Sequence, residues 1–143
     1  PSFPRFAPER FATVRTKHAD KHKAFRKGIE QLAEEGVVQL FYPAQGARDP
    51  ILGAVGQLQF EVFEHRMKEE YGVEVLFDHQ PYRVIRWLSA TPAKPVRFGM
   101  LVHDQDDKAV ALFRFDGEIK YFRDEHPDVS LADSPGAVEV VRL

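Results

Sequence analysis

The chain has 143 residues, of which 43% are hydrophobic, and it carries a formal net charge of -2 and no cysteine. This is enough apolar material for the core of one domain, and the absence of cysteine excludes disulfides, thiolate zinc sites and cysteine nucleophiles. No apolar run approaches the roughly 20 residues of a membrane-spanning helix, so we expect a cytoplasmic protein without a membrane partner. Because residue 1 is proline and not methionine, we also expect that other residues precede it in the native gene product.

Charge is distributed unevenly along the chain. The first 28 residues contain eight basic and two acidic side chains, whereas the chain from His103 onward contains five basic and ten acidic ones. The first end is therefore suited to a phosphate-rich partner, and the second end is not.

The first predicted elements are a strand and an amphipathic helix. Residues 10–16 are rich in β-branched and aromatic side chains, which favours a strand. Over residues 20–35, apolar side chains recur at steps of three and four, with Asp20 as a candidate N-cap and Gly36 positioned to end the helix.

Two strands, a second helix and a fourth strand follow. Strands are predicted at 37–42, 51–55 and 73–78, and a helix is predicted after Gly56, at 57–71. The apolar stripe of this helix should lie in the core against the first helix, and it consists of Phe60, Phe63, Met67 and Tyr71. The order β-α-β-β-α-β indicates an α+β fold, a ferredoxin-like core in which two helices cover one face of an antiparallel sheet.

A β-rich extension is predicted after this core. Strands are expected at 82–89 and 109–115, a short helix at 117–125 and a last short strand at 129–131. Residues 91–95 read as a proline-punctuated loop that is too short to separate two domains.

Sequence motifs for catalysis or metal binding are missing. Neither a GxxxxGK[ST] nor a GxGxxG phosphate loop occurs, and no GxSxG nucleophile motif is present. His18 and His22 have a spacing that can hold a metal, but no third ligand is evident. The acidic run at 103–107 lacks the glycine and the distal glutamate of a calcium loop, so a solvated hairpin turn is favoured. We therefore expect no catalytic, cofactor or metal residue in this chain.

The basic residues of the first helix are the candidate functional site. They are Lys17, Lys21, Lys23, Arg26 and Lys27. Positive charge near a helix N-terminus interacts unfavourably with the helix dipole, which costs about 0.3–1 kcal/mol per well-placed charge. Residues that destabilise their own helix in this way indicate a functional role. Contact with RNA phosphates supplies one.

The alternative interpretation is a merely solvated helix face. Its charges would be relieved by ion pairs of Arg26 with Glu30, or of Lys27 with Glu30 or Glu34. Base stacking on the helix is not expected, because Phe25 falls on the core side.

Four runs of residues stand out together with the distances between them. The runs are FAPERF at 6–11, LAEEG at 32–36, GAVGQLQF at 53–60 and RMKEEYGVE at 66–74. At these separations they resemble the third domain of elongation factor G-like translational GTPases, and they are most similar to the peptide chain release factor 3 branch of that family. The resemblance covers residues 3–90 well and continues more loosely to 127–129.

The resemblance implies a division of the chain into four parts. Residues 1–9 would be a linker from upstream domains, and residues 10–78 the ferredoxin-like core. Residues 79–131 would be a family-specific extension packed on the core, and residues 132–143 a tail without a counterpart.

The resemblance also implies a function. The parent would bind and hydrolyse GTP in an upstream domain that is followed by a β-barrel domain, and it would remove class I release factors from the ribosome after peptide release. This chain contains none of the GTP-binding motifs, so it would be a non-catalytic domain that packs on the upstream domains and engages the small ribosomal subunit. Its basic helix would meet ribosomal RNA or a ribosomal protein.

Three alternatives remain open at this point. The chain can be a stand-alone ferredoxin-like module that binds RNA or regulates another protein. It can be the equivalent domain of another elongation factor G-like GTPase. A small enzyme or ligand-binding domain is the third, for which a deep pocket with a buried charged residue would argue.

Overall fold

The computed structural model describes residues 7–44 and 49–138. The three α-helices are α1 (His22–Glu34), α2 (Gln57–Tyr71) and α3 (Asp116–Glu125). The eight strands are β1 (Arg10–Thr16), β2 (Gln39–Pro43), β3 (Ile51–Ala54), β4 (Val75–Gln80), β5 (Val84–Leu88), β6 (Met100–His103), β7 (Ala109–Phe113) and β8 (Leu131–Ala132). Short 3-10 turns lie at Ala19–Lys21 and Pro135–Val138.

The first helix begins later than the sequence predicts. Residues Ala19–Lys21 form a separate 3-10 turn, so the N-cap of α1 is Lys21, which makes no side-chain capping bond. The predicted N-cap role of Asp20 is therefore wrong, because Asp20 lies inside the 3-10 turn, one residue before the N-cap. The predicted end is confirmed, since Gly36 adopts the left-handed conformation just after the helix (φ 87°).

The first four strands have the order β4-β1-β3-β2 and are all antiparallel to their neighbours. This is the strand order of a ferredoxin-like fold, in which each helix crosses from one strand to a non-adjacent one. The predicted α+β fold with a ferredoxin-like core is confirmed.

Both crossover helices pack on the same face of these strands. The stripe of α2 is buried against α1 as predicted, with Phe63 and Met67 inaccessible to solvent and Tyr71 half-buried at the margin. This first core also contains Phe25, Ile29 and Leu32 of α1 and Val14, Leu40 and Leu52 of the sheet.

The extension continues the same sheet. Strand β6 pairs with β2, with Tyr42 opposite His103, and the full order becomes β4-β1-β3-β2-β6-β7-β5-β8. Cross-strand partners point to the same face of a sheet. Following these pairs from β2 through β6 to β7 places α3 on the same face as α1 and α2, where it packs on Ala111 and Phe113. The sequence did not predict β6, which is only four residues long and largely half-exposed.

The opposite, inner face of the sheet is closed by the extension. Side chains of β1, β2 and β3 meet side chains of β5, β6 and β7 in a second core, which contains Phe11, Phe41, Ile51, Ile85, Trp87, Val102, Val110 and Leu112. The indole Nε1 of Trp87 donates a hydrogen bond of 3.0 Å to Asp104 Oδ2. The extension therefore packs directly on the ferredoxin-like strands.

The acidic run at 103–107 forms the turn between β6 and β7, as predicted. Asp104 Oδ1 accepts hydrogen bonds from the backbone N–H groups of Asp106 and Lys108, both at 2.9 Å, and Asp107 has a φ of 63°. These carboxylates shape the turn. Within residues 7–44 and 49–138, no group of three side chains is arranged to hold a metal ion.

Gly99, at the entry to β6, has a backbone that only glycine adopts without strain. Its φ is 96°, and an added Cβ would lie 2.8 Å from Phe113 Cδ1 and 2.9 Å from the Leu112 carbonyl oxygen. We expect Gly99→Ala to lower the free energy of unfolding by about 1–3 kcal/mol, measured by urea denaturation. The control is Gly136→Ala, which has open space and should change stability by less than about 0.5 kcal/mol. Equal effects of the two variants would contradict the assigned backbone.

Glu118 is a buried carboxylate in the first turn of α3, only 3% exposed. Its Oε1 accepts a hydrogen bond of 2.7 Å from the backbone N–H of Arg114, and its Oε2 accepts bonds of 3.1 and 2.8 Å from Nε and Nη2 of the Arg114 side chain. Burial raises the pKa of Glu118, but the hydrogen bonds from Arg114 outweigh it, and the pKa lies below its ordinary value of 4.5. The group is therefore ionised at neutral pH and fixes the start of α3.

A lowered pKa in the folded state predicts a loss of stability in acid. The contribution of Glu118 is complete above its unfolded pKa and is lost as the pH falls through its folded pKa. Glu118→Gln should lower the free energy of unfolding by about 1–3 kcal/mol near neutral pH, and this difference from the parent should shrink towards pH 3. Urea denaturation at several pH values measures it. The exposed Glu61→Gln is the control, and a difference that is constant with pH would contradict the assigned ionisation.

Candidate nucleic-acid interface

The structure places the five predicted basic residues on α1 and on the segment that enters it. All five are exposed. Lys23, Arg26 and Lys27 are spaced three and four residues apart, so they share one face of the helix, opposite the buried stripe. Lys21 lies at the N-cap of the helix, beside this group. We call Lys21, Lys23, Arg26 and Lys27 the basic face.

Lys17 lies apart from the basic face. Its backbone N–H donates to the carbonyl of Glu74, which precedes β4. The Glu74 carboxylate is 3.3 Å from His18 Nε2, and this hydrogen bond together with the nearby charge of Lys17 lowers the pKa of Glu74. Part of the charge of Lys17 is therefore balanced within the domain.

The basic face has no ion-pair partner within the described part of the chain. The pairs of the alternative interpretation, Arg26 with Glu30 and Lys27 with Glu30 or Glu34, are therefore not present. Glu35, at the end of α1, is instead bonded to Arg66 of α2 at 2.7 Å, and this contact lowers the pKa of Glu35. The positive charges of the basic face remain available to a partner.

A groove runs beside the basic face, between α1 and the paired strands β2 and β6. It has a volume of about 510 Å³. Its helix wall includes His22, Arg26 and Glu30, and its sheet wall includes Tyr42 and His103. The two sheet rings are stacked, with centroids 5.5 Å apart and planes inclined by 26°.

Tyr42 lies within the electrostatic reach of two helix side chains. Burial raises the pKa of Tyr42, the negative charge of Glu30 raises it further, and the positive charge of Arg26 lowers it. The groove therefore brings one cation, one anion and a stacked aromatic pair together.

Sequence reasoning identified the cations of this region but missed its aromatic side chains. Base stacking is not expected from the sequence because Phe25 of the helix faces the core, and the imidazole rings are not counted there as stacking groups. Tyr42 was visible as the end of the second strand, but His103 belongs to a strand that was not predicted. The signal that was overlooked is the short apolar run MLV just before His103.

A second cavity lies beside Trp87 and has a different character. Its volume is about 70 Å³, and its walls include Trp87 and the carboxylates of Asp104, Asp106 and Asp133. It is too small for a ligand much larger than a few water molecules, and its charge disfavours phosphate. The buried Glu118 lines neither cavity, so it does not support an enzyme-like pocket.

None of the helices within residues 7–44 and 49–138 has the length and apolar character needed to cross a bilayer.

Comparisons with known proteins agree with the resemblance found in the sequence. Residues 1–123 match the family model described as class II release factor RF3, C-terminal domain. A peptide chain release factor 3 from Symbiobacterium thermophilum is 53% identical over 129 residues, which cover 87% of this chain and 24% of that protein.

Two further relatives of the same name are more distant. Those from Trichormus variabilis and Streptococcus sanguinis are each 42% identical, over 90% and 91% of this chain and 25% and 26% of their own lengths. The chain thus spans about a quarter of the length of these relatives. Since the family model covers most of the chain, the chain belongs to the family of class II release factor RF3 C-terminal domains.

Proposed function

We propose that this chain is the non-catalytic, ribosome-engaging domain of a translation-termination GTPase that promotes the recycling of class I release factors. The basic face carries the proposal: a chain of the release factor family has exposed cations on a helix, and these form no ion pair with any described residue. Cations arranged in this way bind phosphate groups strongly and with little regard to sequence. The partner is the small ribosomal subunit, through its RNA or a protein.

The rest of the proposed factor lies outside these residues. In the proposed factor, GTP binds in an upstream domain. The sequence here has no phosphate-cradling loop of the GxxxxGK[ST] type. The ferredoxin-like core then acts as a rigid part that packs against the upstream GTPase and β-barrel domains and transmits their nucleotide state to the ribosome, in the cytoplasm. The two packed cores support this role, because a closely packed domain transmits force without deforming.

Reversing two charges of the basic face tests the proposal. Lys23→Glu with Lys27→Glu should weaken co-sedimentation of the complete gene product with ribosomes. The dependence of the remaining binding on salt should also flatten, because fewer ions are released. The isolated 143-residue chain should be at least as stable as the parent, since both residues are exposed and glutamate near a helix N-terminus suits the dipole.

A matched control makes the same change of charge elsewhere. Lys94→Glu with Lys120→Glu alters two exposed lysines of the extension and should leave ribosome binding unchanged. If the Lys23 and Lys27 variant binds ribosomes like the parent across a salt titration, the basic face has no role in engagement. Loss of binding with an unchanged salt slope would assign the face to a neutral part of a ribosomal protein instead of RNA.

A further inference from the structure

We infer that the groove between α1 and the β2–β6 pair is a receptor for a single unpaired nucleotide of an RNA. Its base packs against the stacked rings of Tyr42 and His103, and its phosphate lies at Arg26 and the basic face. This inference rests on the proposed function in one respect, since the RNA it concerns is ribosomal RNA. It goes further in assigning aromatic residues and a defined chemical unit to the site.

The aromatic pair selects a planar ligand. Tyr42 and His103 lie opposite each other across the β2–β6 pair, and their stacked rings share one wall of the groove. Every nucleobase has a flat face that stacks on aromatic side chains without requiring a particular sequence. The His103 side chain is 38% exposed although its Nδ1 lies 3.4 Å from Asp107 Oδ1, and Tyr42 is half-buried, so the pair is partly open to a partner.

Charge along the helix wall fixes the direction of the nucleotide. Arg26 and Glu30 are one helical turn apart on that wall, with Arg26 nearer the N-terminus and next to the unpaired lysines. A phosphate is attracted to Arg26 and repelled by Glu30. The carboxylate of Glu30 instead accepts a hydrogen bond from a base N–H or from the ribose 2′-hydroxyl, a group that distinguishes RNA from DNA.

The size of the groove also fits one nucleotide. Its volume of about 510 Å³ falls within the range of roughly 300–1,000 Å³ that is usual for small-ligand sites. A duplex cannot offer a base in this way, because its bases are stacked and paired, whereas loops and bulges of RNA splay single bases out. A purely acidic peptide would use the cations but has no aromatic ring to stack on the two rings.

Binding of a short RNA to the 143-residue chain tests the inference. The probes are a fluorescently labelled hexamer of riboadenylate and a labelled RNA duplex, titrated by anisotropy at low salt. The parent should prefer the hexamer. Tyr42→Leu should weaken hexamer binding roughly 5- to 100-fold, the effect of losing one stacked base, without changing the salt slope. The matched control is Tyr82→Leu, since Tyr82 is likewise half-buried but lies in the second core.

A second variant distinguishes the loss of a stacking ring from misfolding of the domain. Tyr42 also packs against the first core, so His103→Leu is measured alongside it, with circular dichroism to confirm that each variant is folded. It should weaken hexamer binding and leave duplex binding unchanged.

The outcomes separate this inference from the proposed function. If Tyr42→Leu and His103→Leu bind the hexamer as tightly as the parent, the base receptor is refuted. In that case a ribosome-binding loss with Lys23→Glu and Lys27→Glu still supports the proposed function. The base receptor is also refuted if the chain does not bind the hexamer but binds a labelled hexaglutamate peptide. That result would indicate an acidic protein partner at the basic face.

Discussion

Replacing Phe63 with alanine is expected to lower the free energy of unfolding by about 3–5 kcal/mol. Phe63 is inaccessible to solvent in the first core, and its ring lies 6.0 Å from that of Phe77 on β4. Truncation loses the transfer free energy of the ring and leaves a cavity between α2 and the sheet, which the packed neighbours fill only in part. Urea denaturation followed by the fluorescence of the single tryptophan measures the change.

Leu58→Ala provides the comparison on the same helix. Leu58 is 67% exposed, so its truncation should alter stability by no more than about 0.5 kcal/mol. If Phe63→Ala were as mild as Leu58→Ala, α2 would have to face the sheet with a different side.

Trp87→Ala is expected to cost a similar amount, about 3–5 kcal/mol, and to destabilise the ferredoxin-like strands together with the extension. Trp87 is 4% exposed in the second core, to which both parts of the chain contribute. Its loss also leaves Asp104 Oδ2 without the indole donor. Circular dichroism at helix wavelengths reports mainly on α1 and α2. It should show a single unfolding transition, at a lower urea concentration than in the parent.

Trp87→Phe separates the two contributions of this side chain. The phenyl ring keeps much of the packing but cannot donate to Asp104, so the loss of stability should be intermediate. Two transitions in Trp87→Ala, with the second at the midpoint of the parent, would mean that the extension unfolds independently of the core. Such a result would contradict the shared second core.

The sequence predicts the ferredoxin-like part well because its signals are local and strong. The two helices have long apolar stripes, and glycine residues mark their ends, so Phe60, Phe63 and Met67 could be assigned to the core in advance. The start of the first helix is not predicted correctly. Asp20 is a good N-cap residue by type, but in the structure it lies within the 3-10 turn that precedes α1.

The candidate site was predicted only in its charges. Lysine and arginine side chains on one helix face follow from helical spacing alone, whereas the groove depends on a pairing between distant strands. Tyr42 and His103 meet only because β2 pairs with β6. The apolar run before His103 can indicate a strand, but it does not indicate which strand is its partner. Non-local strand pairing is the step that periodicity does not encode.

Sharing one inner core between the two halves of the sheet has a consequence for synthesis on the ribosome. The strands β1, β2 and β3 leave the exit tunnel first, and they can pair and bury their outer face under α1 and α2. Their inner side chains, such as Phe11 and Phe41, gain their cover only when β5, β6 and β7 have emerged. Because the covering strands lie between Val84 and Phe113, the nascent domain carries an exposed apolar face until most of its sequence has been made. We expect it to be prone to aggregation during that interval, since transiently exposed apolar surface associates.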